Sequence, residues 1–355
     1  MTDVRLRPME RTEADLAVFK ATFDRNGSKR TLKHLRWQYL ENPTGKLYVQ
    51  LAIPANDEAR AAAIYSVMPV TLRISGREGL GAQSLDTLTD VEFRGQGLFV
   101  KLAQVVFARC EEEGLACIYG FPNGNSAPGF FNRLGWARLD PVPFLVKPLK
   151  ANYFLRKAKP LASLVSKLPP LPLAFPRRAS LPRSQEIRPV TGFDASYDGL
   201  WERFAQGVGA AVHRGSKYLE WRLVKKPDFR YRMLALHEHG QLIAFVAFDV
   251  QEKHGGRIGY VLELLHEPGR AEDAGRLLQE AIAEMASDGV EVVLAWCLDH
   301  SANRGAYRQQ GFMPLPERVR PIELHVGVRP LAARAEANLG NRRNWYLSYL
   351  DSDTV

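Results

Sequence analysis

The segment Lys33-His-Leu35-Arg-Trp37, followed by Pro43, returns as Lys217-Tyr-Leu219-Glu-Trp221 followed by Pro227, with all four matched positions at one offset of 184 residues. A second pair, Phe131-Asn-Arg-Leu-Gly135-Trp136 and Tyr307-Arg-Gln-Gln-Gly311-Phe312, keeps the same order at an offset of 176. Two ordered matches whose offsets differ by a loop's worth of residues indicate a duplicated unit of about 145 residues, where chance spacing would keep no order. The chain of 355 residues has room for two such units and a connector. Each copy is therefore expected to fold alike around its own core.

Periodicity in the first copy predicts strands near 3–8, 47–54, 61–74, 79–91 and 115–121. Helices are predicted near 12–23, 31–41, 97–113 and 126–134, before a closing strand pair. An antiparallel run of strands thus precedes a strand–helix–strand–helix unit, which is a mixed α/β fold. The expected division is a first domain at 1–146, a linker at 147–187, a second domain at 188–330 and a tail at 331–355.

The net charge of +9 resides almost wholly in that linker. From Lys147 to Arg188 there are ten basic residues and one acid, so the flanking regions together are neutral and no nucleic-acid-binding face is implied. Seven of the 22 prolines lie there too, as a connector requires. Being both basic and apolar, the stretch is a candidate for peripheral contact with an anionic membrane; the alternative is a solvated connector whose apolar residues pack back on the domains. No apolar run approaches the ~18 residues of a membrane span. The opening residues carry charge where a leader needs an apolar core, and Cys110, Cys117 and Cys297 have neither disulfide nor metal-ligand spacing. A cytoplasmic protein without a metal is expected.

The most informative stretch runs Ser84-Leu-Asp86-Thr-Leu88-Thr89-Asp-Val91-Glu-Phe-Arg94-Gly95-Gln96-Gly97-Leu98-Phe99. A β-branched strand enters a glycine-rich turn and then a helix whose apolar positions follow a 3.6 period. Glycines there let backbone N–H groups and the positive end of the helix face a diphosphate. Gly-x-Gly alone would also suit any tight turn. There is no Gly-x-Ser-x-Gly elbow and no Walker loop, and His237-Glu-His239 stands beside a glycine turn where an HExxH site would need a helix.

Arg94-Gly-Gln-Gly97-Leu98 resembles the acyl-CoA pyrophosphate loop of the GCN5-related N-acetyltransferases (GNAT superfamily), and Asn125-Ser-Ala127 with Phe131-Asn-Arg-Leu-Gly135-Trp136 is similar to that family's following helix. The resemblance covers residues 3–146. It implies that acetyl-CoA is the co-substrate, held by Leu88, Thr89, Val91, Arg94, Gly95, Gln96, Gly97, Leu98, Asn125 and Phe131. It also implies an oxyanion donor among the backbone N–H groups from Leu88 to Val91. Phe99 stands where the family's loop ends in Gly or Ala, and Phe131 where many members have the tyrosine that protonates the leaving thiolate. Asp86 is the candidate base, or else a turn-capping aspartate. Asn123 and Ser126, with Tyr119 and Asn125, are candidates to orient the acceptor or a water; local turn bonding is their other reading.

In the second copy the loop's counterpart is Pro268-Gly-Arg270-Ala-Glu272-Asp273-Ala-Gly275, whose acids oppose a pyrophosphate. The second domain is expected to be degenerate. Duplicated GNAT folds with one working site include Fem-type aminoacyltransferases of cell-wall synthesis, aminoglycoside acetyltransferases and acetyltransferases of amino sugars in polysaccharide loci. The loops at 84–99 and 119–126 look most like the last, which implies a small-molecule or lipid-linked amino-sugar acceptor. A tRNA-dependent Fem-like enzyme and a non-catalytic CoA- or nucleotide-sensing module are the alternatives.

Overall fold

A computed structural model describes residues 3–157, 171–320, 322–331 and 338–353. The first half begins with β1 (Val4–Pro8), α1 (Glu13–Arg25) and α2 (Leu32–Tyr39). Thr12 and Thr31 cap the two helices, each accepting a backbone N–H from the first turn. The antiparallel strands β2 (Tyr48–Pro54), β3 (Ala63–Ile74) and β4 (Arg77–Thr89) follow, then α3 (Leu98–Glu112), β5 (Cys117–Gly120), β6 (Ala137–Arg138) and β7 (Phe144–Pro148). The second half supplies β8 (Gln185–Pro189), α4 (Ala195–Phe204), β9 (Ala210–Val212), β10 (Arg232–Glu238), β11 (Gln241–Lys253) and β12 (Gly256–His266). It continues with α5 (Ala271–Ser287), β13 (Val292–Trp296), α6 (Arg304–Gln309), β14 (Met313–Pro314) and β15 (Gly327–Pro330).

Two mixed sheets result, ordered β1-β2-β3-β4-β5-β15-β6 and β8-β10-β11-β12-β13-β7-β14. They correspond strand for strand, with one exchange: β7 pairs with β13 of the second sheet, and β15 inserts between β5 and β6 of the first. The boundaries drawn at 146 and 330 therefore do not delimit self-contained sheets. Each half lends its last long strand to the other.

Further contacts fuse the halves. β9 extends the first sheet by pairing with the end of β3. The two tryptophans of the repeat stack on each other with ring centroids 4.5 Å apart, and each indole N–H donates to the other's backbone carbonyl, at 2.8 and 3.1 Å. The duplicated motif is thus the contact about which the halves are related. Residues 338–353, expected as a tail, are built into the core, with Trp345, Tyr346, Leu347, Tyr349 and Leu350 all buried. Arg214, wholly buried, bonds Glu263 and Asp351 at 2.7 Å each, so its charge is compensated on two sides. Arg222 donates to the carbonyls of Leu350 and Ser352.

Among the described residues, four basic side chains of the connector are engaged. Lys147 and Lys150 donate to the carbonyls of Gln310 and Gly289, Arg156 pairs with Glu291, and Arg178 with Glu280. Residues 158–170, including Lys159 and Lys167 of the membrane-contact expectation, lie outside the described residues. Among the described residues no helix is long and apolar enough to cross a membrane.

Candidate active site

β4 and β5 run parallel through only three residue pairs, Ala82 to Ser84 against Ile118 to Gly120, and then part. β4 continues to Thr89 while β5 ends at Gly120. The gap is a cleft of about 860 Å³. Where it opens, the register between β3 and β4 shifts, so β4 carries one extra residue between Leu85 and Leu88. This bulge holds Asp86 at φ 50°, and it turns the strand away from β5.

At one end of the cleft lies the glycine loop. Gly95 and Gly97 have φ of 80° and 72°, and a Cβ at either would meet no atom within 4 Å. Gly97 is the N-cap of α3 and brings no side chain to the helix's first N–H groups, which remain available to an anion. Leu98, by contrast, is buried in the core beneath α3, and Val91 is exposed and outside the cleft walls.

Asp86, Leu88, Thr89, Arg94, Asn123, Asn125 and Ser126 all line the cleft. Their bonding refines their roles. Asp86 is saturated: one carboxylate oxygen accepts from Arg30 at 2.5 Å, the other from Gln38 at 2.7 Å and Tyr39 at 3.0 Å. Asn123 Oδ1 accepts from the backbone N–H groups of Asn125 and Ser126, both at 3.1 Å, and from the Ser126 hydroxyl at 3.2 Å. That is the local turn reading of both residues. Tyr119 is buried away from the cleft against Phe121 and Trp345.

Phe131 also departs from expectation. The turn Gly129–Arg133 is π-helical, and it directs Phe130 into the cleft while Phe131 faces Gly327. Arg138 covers the Phe131 ring at 3.9 Å. Phe99, the departure in the loop, lines the cleft and meets Phe130 edge to face at 5.4 Å.

Sequence reasoning missed the walls that come from the far end of the chain. Ile322, Glu323 and Leu324 enter just ahead of β15, and Asp353 follows the buried C-terminal segment. Asp353 opens onto the cleft and forms no ion pair among the described residues. Desolvation by the surrounding protein, then the neighbouring Asp86 charge, raises its carboxyl above the usual range. Asp90 and Glu92 serve structure instead, pairing with Arg25 and Arg60.

In the second half the first turn of the corresponding helix carries the buried Asp273, whose carboxylate accepts from Arg276 at 2.6 Å, Gln185 at 2.9 Å and Arg270 at 3.1 Å.

Residues 5–139 match the acetyltransferase (GNAT) domain family. The match lies wholly within the N-terminal half and takes in the glycine loop and the cleft-lining part of β4. No curated protein sequence matches the chain. Among solved structures, the N-myristoyltransferase of Saccharomyces cerevisiae with bound myristoyl-CoA is similar at a TM-score of 0.61 and 12% identity, covering 92% of this chain and 83% of that one. A GCN5-related N-acetyltransferase from Anabaena variabilis gives 0.63 at 13% identity, over 93% and 74%. A protein from Enterococcus faecalis described as a probable N-acyltransferase gives 0.64 at 13% identity, over 94% and 74%. At such identities the likeness is one of fold, and it spans both halves. Together with the domain match it supports an acyltransferase that uses an acyl-CoA.

Proposed function

We propose that the protein transfers the acetyl group of acetyl-CoA to the amine of a nucleotide- or lipid-linked amino sugar destined for a surface polysaccharide. The carrying observation is the uncapped, glycine-lined start of α3 at the mouth of the β4–β5 cleft. The pyrophosphate lies against the N–H groups that follow Gly95 and Gly97, and the thioester lies in the splayed gap. A backbone N–H between Leu88 and Val91 meets the developing oxyanion. The amine nitrogen attacks the carbonyl carbon, the C–S bond breaks, and the thiolate departs with the bonding pair. Asp86, with both oxygens occupied, holds Arg30 and α2 in place, and Asp353 is the carboxylate free to receive the amine's proton.

The amino-sugar acceptor rests on the resemblance of the loops at 84–99 and 119–126. A lipid-linked acceptor would go with anionic-membrane contact through 147–188, where Arg177 and Arg183 remain exposed. The test is mass spectrometry of amino-sugar nucleotides and lipid-linked amino sugars incubated with acetyl-CoA and the full chain. One acetyl group should be gained and one CoA released per turnover, and Gly97→Glu, which places a carboxylate at the pyrophosphate, should abolish both. Turnover unchanged in G97E would overturn the site assignment. Acetyl-CoA bound tightly with no acceptor consumed would favour the sensing module.

A further inference from the structure

Gln83 is only 3% exposed, yet its side-chain amide forms no hydrogen bond among the described residues. A glutamine amide carries two N–H donors and an acceptor oxygen, and buried groups of this kind are almost always bonded. Gln83 is the last residue but one of β4 to pair with β5, opposite Tyr119, before the two strands part. The hydroxyl of the next residue, Ser84, donates to Tyr65, which packs edge to face on Phe107 of α3. Side chains alternate along a strand, so Gln83 and Leu85 face the other side of the sheet. There they share a chamber with His34, Trp37 and Gln38 of α2.

The chamber, of about 240 Å³, has Gln83, Leu85 and Asp353 as walls in common with the cleft. Its cations are engaged within the fold: Arg30 by Asp86, Arg222 by the carbonyls of Leu350 and Ser352, and Lys226 by the Tyr231 hydroxyl. The Gln38 amide is spent on Asp86 and the Trp37 indole N–H on the Trp221 carbonyl, while Met68 and Leu85 bring no hydrogen-bonding group. The Gln83 amide is therefore available to a ligand at the junction of the two cavities. The uncapped start of α3 belongs to the opposite face of the sheet, so a second substrate reaching the gap from the α2 side passes Gln83.

We propose that Gln83 binds the acceptor, and that the acceptor carries an uncharged hydroxyl beside its amine. The amide bonds that hydroxyl, the amine lies in the splayed gap toward Asp353, and the remainder of the molecule extends into the chamber. An amine with only alkyl carbons at that position leaves the amide unbonded and is held more weakly. In the free protein the unbonded amide is a cost to stability, which an apolar side chain of the same shape removes. The role toward an acceptor rests on the acyl-transfer reading; the amide's lack of a partner in the fold does not.

The test is calorimetry on the full chain with trans-2-aminocyclohexanol and cyclohexylamine, which differ by one hydroxyl beside the amine, in saturating acetyl-CoA and again without it. The hydroxylated amine should bind about tenfold more tightly, the scale of one hydrogen bond. Gln83→Met, close to the same shape without the amide, should lose that preference by weakening the hydroxylated amine alone, with acetyl-CoA affinity unchanged. Its melting temperature should equal or exceed that of the natural chain, which a purely structural glutamine would not allow. Gln83→Asn, which keeps an amide one carbon shorter, should retain part of the preference. Equal affinity for the two amines, binding of neither, or a preference undiminished in Q83M would overturn the proposal. So would a lower melting temperature of Q83M, because the amide would then be bonded within the fold through water. Failure of acetyl-CoA itself to bind would end the acyl-transfer reading, while the titration without it and the melts would still decide the role of Gln83.

Discussion

Two carboxylates near the bulge of β4 face opposite fates. Asp86 accepts from a guanidinium, an amide and a phenol, so its carboxylate ties α2 and Arg30 to the bulge. Asp353 has no ion-pair partner among the described residues, and its raised pKa lets it hold a proton nearer neutrality. The variants should separate accordingly. Asp353→Asn is expected to lower CoA release by about 10²–10⁴-fold with little change in melting temperature or acetyl-CoA affinity. Asp86→Asn should instead lower stability by about 1–3 kcal/mol, because Arg30 is left facing a neutral group. Thermal melts beside a free-thiol assay read both; a D353N protein with wild-type turnover would remove Asp353 from the chemistry. Asp86 was legible in the sequence from its place before the glycine loop. Its saturation was not, because Gln38 and Tyr39 reach it from α2, 48 and 47 residues upstream. Asp353 left no local signal at all, since only the fold of the C-terminal segment carries it to the cleft.

Elements carried the strongest sequence signal, because each is set by its own periodicity and caps. α3 shows this at both ends. Its N-terminus is left open by Gly97, while its C-cap Glu113 ties it to β2, accepting from Tyr48 at 2.8 Å and from Lys46 at 2.9 Å. The Lys46 bond first, then Tyr48, lowers the Glu113 carboxyl to about 2 from 4.5. A carboxyl lowered in the folded state stabilises it fully above the unfolded value and loses that contribution as the pH falls toward the folded one. Acid unfolding should therefore steepen between about pH 4.5 and 2, and Glu113→Gln should flatten that limb while leaving the neutral-pH site intact. An unchanged acid limb in circular-dichroism titration would show that the tie does not hold α3. The downstream helix was also expected in the right place, yet its π-helical turn was not legible, and that single change of register sends Phe130 rather than Phe131 into the cleft.

At the scale of the whole molecule, the repeat announced two alike units but could not announce which sheet each final strand joins. β7 and β15 occupy equivalent places in the two sheets, so their apolar patterns suit either, and local sequence cannot distinguish exchange from self-pairing. The consequence is energetic. A fragment of residues 1–146 would keep β7 with its buried Phe144, Leu145 and Val146 unpartnered, and would lack the β15 that bridges β5 to β6. It would also lose Leu324 and Asp353 from the cleft and Trp221 from the stack with Trp37. An exposed apolar strand beside an unfilled sheet edge is a site for aggregation. Expressed alone, residues 1–146 should be insoluble or fail to bind acetyl-CoA, although the glycine loop lies entirely within them. Co-expression with residues 147–355 should restore a stoichiometric complex that binds acetyl-CoA, because both exchanged strands are then present. Size-exclusion chromatography followed by calorimetry decides it. A monomeric 1–146 fragment with the full chain's affinity would mean that the strand exchange is dispensable, and that the cleft is the property of one half after all.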